Sequence, residues 1–294
     1  MNLVCFDVGG TSVKYAVVKE GKILNKSSFV SKDDVAYLLE NMVNVVEMYR
    51  ESFPIDGIGL SMPGAVSSSG IIYGYSALPT IHGPNWKNLL KQRTGLEVSI
   101  ENNANCAALA EIMYGSGVNY QDAIFLVIGS GVGGAIVKNR KIHHGIHLSG
   151  GEFGYMIMEM NQQEPKTFSN LASTVSLVNK VKKLKNNDNL DGLDIFQFAK
   201  NGDEICKRCI DEFYYYLSLG IYNLQYAFDP EIVLLSGAVS KQDHFIENIN
   251  KNILSLIEKV DGADIVPKLA LCSAGADANL IGAYVNFVNS QTKN

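Results

Sequence analysis

The sequence predicts an α/β fold of two lobes with a central cleft. Three observations carry this. The chain has 294 residues, about two domains at 100–200 residues each. Short apolar runs of strand length alternate with longer segments of helical periodicity. The pattern strand, glycine-rich turn, strand occurs near the N-terminus and again around residue 129, so the chain reads as duplicated. No long linker separates the halves. The expected lobes are a smaller one, 1–105 with 275–294, and a larger one, 106–274.

The elements follow in order. Residues 3–8 form a buried strand. After Gly9-Gly10-Thr11, residues 13–19 alternate at period two and 23–30 stay extended, a meander joined at Glu20-Gly21-Lys22. From 32 to 51, Val35, Leu38, Leu39, Met42, Val45, Val46 and Tyr49 fall at helical spacing, with Ser31 placed to cap and Pro54 to stop. A strand at 55–62 ends in Pro63-Gly64. Another at 97–101 runs into Asn102-Asn103, the kind of strand end where open α/β sheets bind ligands. An Ala-rich helix at 105–114 follows. The second half opens with strands at 123–128 and 135–138 about Gly129-Ser130-Gly131-Val132-Gly133-Gly134. Helices at 170–185, 193–200 and 203–228 come next, then a strand at 232–236 closed by Gly237-Ala238. A helix at 241–259, a strand at 264–271 and a helix at 276–289 complete the chain. The Lys- and Asn-rich run 182–189 predicts an exposed connection.

Composition narrows the function classes. The chain is 47% apolar and 19% charged, the latter below the roughly 25% of average soluble proteins, which argues against disorder. A net charge of −5 without a Lys/Arg run disfavours nucleic acid and a polybasic membrane anchor. No apolar run approaches the roughly 18–20 residues of a membrane span, and Met1-Asn2-Leu3 does not open a signal peptide, so the protein is expected in the cytoplasm. Five scattered cysteines, Cys5, Cys106, Cys206, Cys209 and Cys272, predict free thiols rather than a disulfide framework.

Two segments point to phosphate chemistry. In Asp7-Val8-Gly9-Gly10-Thr11-Ser12-Val13-Lys14, adjacent glycines let amide groups approach an anion, Thr11 adds a hydroxyl and Lys14 a charge. Asp7, at the strand end, is placed to hold a hydrated Mg²⁺ beside those phosphates. Alone, this segment could equally be a plain hairpin turn. The turn 129–134 lies between two strands, and so fits neither a Walker A loop nor a dinucleotide fingerprint. A second phosphate turn opposite the first is the alternative that the internal repeat favours.

Seven segments in order carry a resemblance: Asp7 through Lys14, Ser61-Met62-Pro63-Gly64, the run 101–111, the run 128–134, Gly150-Gly151-Glu152-Phe153-Gly154, Leu234-Leu235-Ser236-Gly237-Ala238 and Ala278-Asn279-Leu280-Ile281-Gly282-Ala283. Over almost its whole length the chain resembles the ROK (repressor, open reading frame, kinase) sugar kinases, within the actin-like, ribonuclease H-like ATPase fold. The resemblance implies ATP and Mg²⁺ as cofactors, held by Asp7, Gly9, Gly10, Thr11, Lys14, Ser130 and Gly131, with Gly237 and Ala238 against adenosine. It implies a sugar held by Pro63, Gly64, Asn102, Asn103, Glu152 and Tyr155, lobe closure on that sugar, and a homodimer.

Three departures from the family pattern matter. The family's Asn-Asp-Ala-Asn supplies the aspartate that takes the acceptor hydroxyl's proton, whereas this chain reads Asn102-Asn103-Ala104-Asn105. An amide keeps the shape but accepts no proton at neutral pH, so turnover is expected to fall by about 10²–10⁴-fold. The chain reads as an inactivated variant rather than a natural pseudokinase, because every other segment around the expected cleft is kept. Tyr155 stands where the family has a histidine, and Ser169 aligns with a further glutamate; both family residues approach the anomeric end of the sugar. The stretch 158–173 lacks the family's Cys-x-Cys-x4-Cys run, so no zinc is expected. An open anomeric end suits a β-glucoside such as cellobiose or gentiobiose, phosphorylated at the 6′ hydroxyl.

Other functions compete with this one. A glucokinase, an N-acetylmannosamine kinase and an idle sugar sensor share the site. A family repressor needs about 80 residues of helix-turn-helix before the first strand, which here starts at Leu3. Actin- or chaperone-like ATPases lack the Glu152 loop. Cys206 and Cys209 read as packed thiols, His143, His144 and His147 lack a fourth ligand for zinc, and Trp86 reads as a core anchor.

Overall fold

β1 (Asn2–Val8) shows why the first half folds as it does. Successive side chains of a strand point to opposite faces, and here both faces are apolar. Val4, Phe6 and Val8 enter one hydrophobic cluster, while Leu3 and Cys5 enter another. The strand must therefore be covered on both sides. Each fully buried side chain of this kind contributes about 1.5–3 kcal/mol.

The computed structural model describes residues 1–161 and 164–291; residues 162 and 163 of the cysteine-free stretch, and 292–294 of the expected first lobe, lie outside the described residues. After β1 come β2 (Ser12–Lys19), β3 (Lys22–Val30), α1 (Val35–Arg50), β4 (Gly57–Met62), β5 (Ala65–Val66), β6 (Ile72–Tyr73), α2 (Trp86–Thr94), β7 (Val98–Asn102) and α3 (Asn103–Tyr114). Next are β8 (Ala123–Ile128), β9 (Val132–Lys138), β10 (Lys141–Ile142), β11 (Ile157–Asn161), β12 (Glu164–Thr167), α4 (Phe168–Ala172), α5 (Thr174–Lys185), α6 (Gly192–Lys200) and α7 (Glu204–Phe228). β13 (Ile232–Ser236), α8 (Phe245–Ile257), β14 (Leu269–Leu271) and α9 (Ala278–Gln291) follow.

The chain divides into two compact units of similar length, Met1–Asn119 with Arg140–Gly150 and Ser273–Asn294, and Tyr120–Asn139 with Gly151–Cys272. These differ from the expected lobes in 106–119, 140–150 and 273–274, which belong to the first unit. Packing explains the difference. α3 lies so close along α9 that a Cβ on Gly282 would meet the Cys106 carbonyl oxygen at 1.8 Å. Arg140 donates to the carbonyls of Ile112 and Val118.

In the first unit the sheet runs β3-β2-β1-β4-β7, antiparallel through β2 and β3 and parallel through β4 and β7. α1 and α2 cover one face through Leu38, Met42, Val46 and Leu90; α3 and α9 cover the other through Cys106, Leu109, Leu280 and Ala283. In the second unit the sheet carries β9, β8, β13 and β14 in that order, and α5 to α8 contribute to its cluster. The repeated start, an antiparallel pair with a parallel neighbour, agrees with the duplication read from the glycine turns.

Several boundaries moved. α1 starts at Val35 because Asp34, not Ser31, caps it, its carboxylate accepting from the Tyr37 amide. Ser31 lies between β3 and the helix, its amide donating to the Thr11 carbonyl. The expected helix 170–185 breaks at Ser173, whose hydroxyl accepts from Ser176 and caps α5. Lys182 and Lys183 are not in a connection but in the last turn of α5, where cations complement the helix dipole, and Asn186 closes it in a left-handed conformation. The strand at 264–271 shrinks to β14. Trp86 is fully buried and its indole donates to the Ile81 carbonyl, which makes it a core anchor.

Candidate active site

The alternation that buries Leu3 and Cys5 under α9 also turns Asp7 toward that helix. Asp7 Oδ1 accepts from Asn279 Nδ2 at 2.9 Å and from Ser61 Oγ at 3.3 Å, while Lys14 Nζ lies 3.7 Å from Oδ2. Ser61 and Lys14 are the strand partners of Asp7 on either side. Just beyond, Gly9 donates to the Ser12 carbonyl, leaving Gly10 and Thr11 exposed. One partly buried carboxylate beside an exposed turn of amides and a hydroxyl is a donor set that fits Mg²⁺, which keeps several waters and takes phosphate oxygens as further ligands. Among the described residues no group of three or more His, Cys, Asp or Glu side chains could hold a metal ion.

The second cluster lies where β7 meets α3. Asn102 caps the helix, its Oδ1 accepting from the Ala104 and Asn105 amides, and its Nδ2 donates to the Gly64 carbonyl at 2.9 Å. The backbone next to Pro63 is thereby tied to the junction. Gly64 has φ +98° and little room: a Cβ there would lie 3.0 Å from His82 Cε1 and from the Tyr73 carbonyl oxygen. Asn103 is the first helical residue, and its Oδ1 accepts from the Ala104 amide at 2.8 Å. Beneath it, buried Glu101 accepts from the Asn102 amide and Asn105 Nδ2 with one oxygen and meets His144 Nε2 at 2.7 Å with the other. His144 is thus engaged with a carboxylate.

In the second unit the turn after β8 closes through Gly129 donating to the Gly131 carbonyl, with Ser130 exposed. Ser169 braces this turn: its hydroxyl accepts from the Val132 amide at 2.9 Å. Gly237, at φ +113°, passes so near β8 that a Cβ would meet the Ile128 carbonyl oxygen at 2.0 Å, and Ala238 beside it is exposed. The Glu152 loop lies flat on β9, since a Cβ on Gly151 would meet the Gly134 carbonyl oxygen at 2.7 Å and one on Gly154 the Val132 oxygen at 2.3 Å. Phe153 is buried between these glycines, whereas Glu152 and Tyr155 face solvent. The protein packed along one side of Glu152 still desolvates its carboxyl enough to raise the pKa above the ordinary carboxylate value, although the side chain reaches solvent.

The site residues read from the sequence thus fall into two sets. Asp7, Gly9, Gly10, Thr11, Lys14, Pro63, Gly64, Asn102 and Asn103 belong to the first unit; Ser130, Gly131, Glu152, Tyr155, Gly237 and Ala238 belong to the second. Sequence reasoning missed Ser61 and Asn279 on Asp7, Glu101 with His144, and the ribbon of β5 and β6. The period of β1 was the available signal for Asn279: residues 3, 5 and 7 share a face. Among the described residues no cysteine forms a disulfide, and four of the five are buried, with burial pushing Cys206 up to about 11.

Comparison with known proteins shows the family. Residues 3–289 match the ROK family. The chain is 32% identical to the β-glucoside kinase of Listeria monocytogenes, over 100% of this chain and 99% of the relative. It is 31% identical to that of Klebsiella pneumoniae, over 98% and 96%. A ROK family protein from Streptococcus pneumoniae, solved in complex with sucrose, superposes with a TM-score of 0.91 at 33% identity over 100% of both chains. The fold is the actin-like ATPase fold of these kinases, and the chain belongs to the ROK family of sugar kinases.

Proposed function

We propose that this chain transfers the γ-phosphoryl group of ATP to the 6-hydroxyl of the glucosyl unit of a β-glucoside. Near-full-length likeness to two β-glucoside kinases and to a sucrose-binding relative supports a glycosidic acceptor. The observation that carries the choice over free glucose is at positions 155 and 169. Tyr155 and Ser169 stand where the family pattern has residues approaching the anomeric oxygen, and the Ser169 hydroxyl is already engaged by the Val132 amide. The imidazole and the carboxylate with which the family pattern would grip a free 1-hydroxyl are both replaced at these positions.

In this reading Gly10 and Thr11 in the first unit, and Ser130 and Gly131 in the second, offer amides and hydroxyls to the nucleotide phosphates, with Lys14 adding charge. Gly237 and Ala238 take the adenosine, and Asp7 holds Mg²⁺ through water. Bound Mg²⁺ would neutralise charge on the phosphates. Pro63, Gly64, Asn102 and Glu152 position the glucosyl hydroxyls. Asn103 holds the attacking hydroxyl by hydrogen bonding and takes no proton, so turnover is low. The working form is a cytoplasmic homodimer without zinc.

The test is a panel of glucose, methyl β-glucoside, cellobiose and gentiobiose assayed with ATP in parent and Asn103→Asp proteins. Asn103→Asp raises turnover by about 10²–10⁴-fold on the β-glucosides. A preference for glucose overturns the substrate assignment. Absence of transfer to every sugar in both proteins favours the idle sensor.

A further inference from the structure

Tyr73 and Tyr75 are 52% and 88% exposed, an unusual cost for two large rings only one residue apart. Their placement is fixed by strand register. β5 and β6 pair Val66 with Ile72 and Ala65 with Tyr73. Val66 and Ile72 are buried, so by the alternation of a strand Tyr73 stands on the opposite face, beside Ala65 and next to Gly64. Gly64 is the residue whose carbonyl accepts from Asn102.

The segment that carries the rings is pinned at Ile72 and again from Ser76 onward. Ser76 Oγ and His82 Nε2 are 2.8 Å apart, the Thr80 amide and hydroxyl both donate to Asp33, Gly83 donates to the Ile72 carbonyl, and the Trp86 indole donates to Ile81. Its far side touches the first glycine turn, where Ala77 Cβ lies 3.0 Å from the place a Cβ on Gly10 would take. Tyr73 is therefore held beside Gly64 before any ligand arrives, and Tyr75 follows two residues on, between the fixed points at Ile72 and Ser76, which lowers the ordering cost of binding. No charged residue occurs from Pro63 to Ile81. A neutral ligand with an apolar face and hydroxyl edges suits such a surface, because a phenol offers a ring to stack on and a hydroxyl to share.

We infer that Tyr73 and Tyr75 form the platform for the second ring of the acceptor, the sugar attached at carbon 1 of the glucosyl unit. The inference rests on the β-glucoside reading and gives it a specificity determinant in the first unit, separate from Tyr155 and Ser169.

Calorimetric titration of glucose, methyl β-glucoside and cellobiose into the parent protein and into Tyr73→Ala, Tyr75→Ala and Tyr75→Phe tests it. The expected result is that the cellobiose-to-glucose affinity ratio falls about tenfold in the alanine variants and is largely kept in Tyr75→Phe. An unchanged ratio in both alanine variants overturns the platform, as does an equal loss for glucose and cellobiose, which marks a structural role. If glucose binds the parent and cellobiose does not, the β-glucoside reading itself fails, and the platform with it. If both sugars bind and only the ratio is unmoved, the platform alone fails.

Discussion

The glycine turns after β1 and β8 share a strand plan and differ in chemistry. Each follows a buried strand, each returns antiparallel, and each closes through its first glycine amide, Gly9 to Ser12 and Gly129 to Gly131. Two residues before the turn, the first copy has Asp7, ringed by Ser61, Lys14 and Asn279, whereas the second has Val127, facing Gly133 across the ladder. The strand arrangement repeats, and of these two matching positions only Asp7 carries a charge. The first turn can carry a cation, while the second can offer only amides and the Ser130 hydroxyl. The parallel neighbours continue the comparison: β4 leads to Gly64 at φ +98° and β13 to Gly237 at φ +113°.

The sharpest way to break the comparison is to remove the charge. In the Asn103→Asp background, Asp7→Asn lowers kcat by about 10²–10³-fold, since the variant keeps the hydrogen-bonding shape but loses the electrostatic stabilisation. Val127→Ala at the matching place leaves turnover at the parental level. Equal losses would mean that the turns share one function. Next in size are the two positive-φ glycines. Gly237→Ala costs about 3 kcal/mol or more in denaturant unfolding, because a strained backbone is combined with a backbone oxygen 2.0 Å from the new methyl. Gly64→Ala costs less: its nearest neighbour is the Ile72 Cγ2 methyl at 2.8 Å, and no backbone atom comes closer than 3.0 Å.

These contrasts explain what could be read in advance. The strands and the long helices were legible because both faces of β1 and one stripe of α1 or α7 are apolar at fixed periods. The candidate site was legible where a local motif carries its own chemistry, as at Asp7-Val8-Gly9-Gly10 or Gly150-Gly151-Glu152. It was illegible where partners come from far along the chain. Asn279 reaches Asp7 across 272 positions, and His144 reaches Glu101 across 43. The ribbon of β5 and β6 was missed because two residues per strand are too few for a period to show. The break at Ser173 was hidden because helical spacing continues through it, while its capping hydroxyl competes with the helix locally.

A smaller effect separates the two turns by their supports. Ser169→Ala removes the acceptor for the Val132 amide and costs about 1 kcal/mol, measured by urea unfolding. The first turn has its corresponding brace in the backbone, Ser31 donating to Thr11, and no side-chain substitution removes that bond.

The smallest expected change concerns Glu152, and its sign is fixed by linkage. Burial raises the carboxyl pKa, so the folded chain holds this proton more firmly than the unfolded chain does. Below the ordinary glutamate pKa both states are protonated and nothing is lost. As pH rises through the interval up to the raised value, the unfolded chain ionises first, and folding stability falls. At neutral pH the folded protein therefore carries the cost of a partly buried charge. Glu152→Gln raises Tm at pH 7, the gain disappears below the ordinary glutamate range, and sugar affinity drops because an acceptor-only group has been replaced by an amide. A variant that melted lower at pH 7 would show that the carboxylate is held by the fold, and the comparison would then have to place a structural charge in the second unit as well as the first.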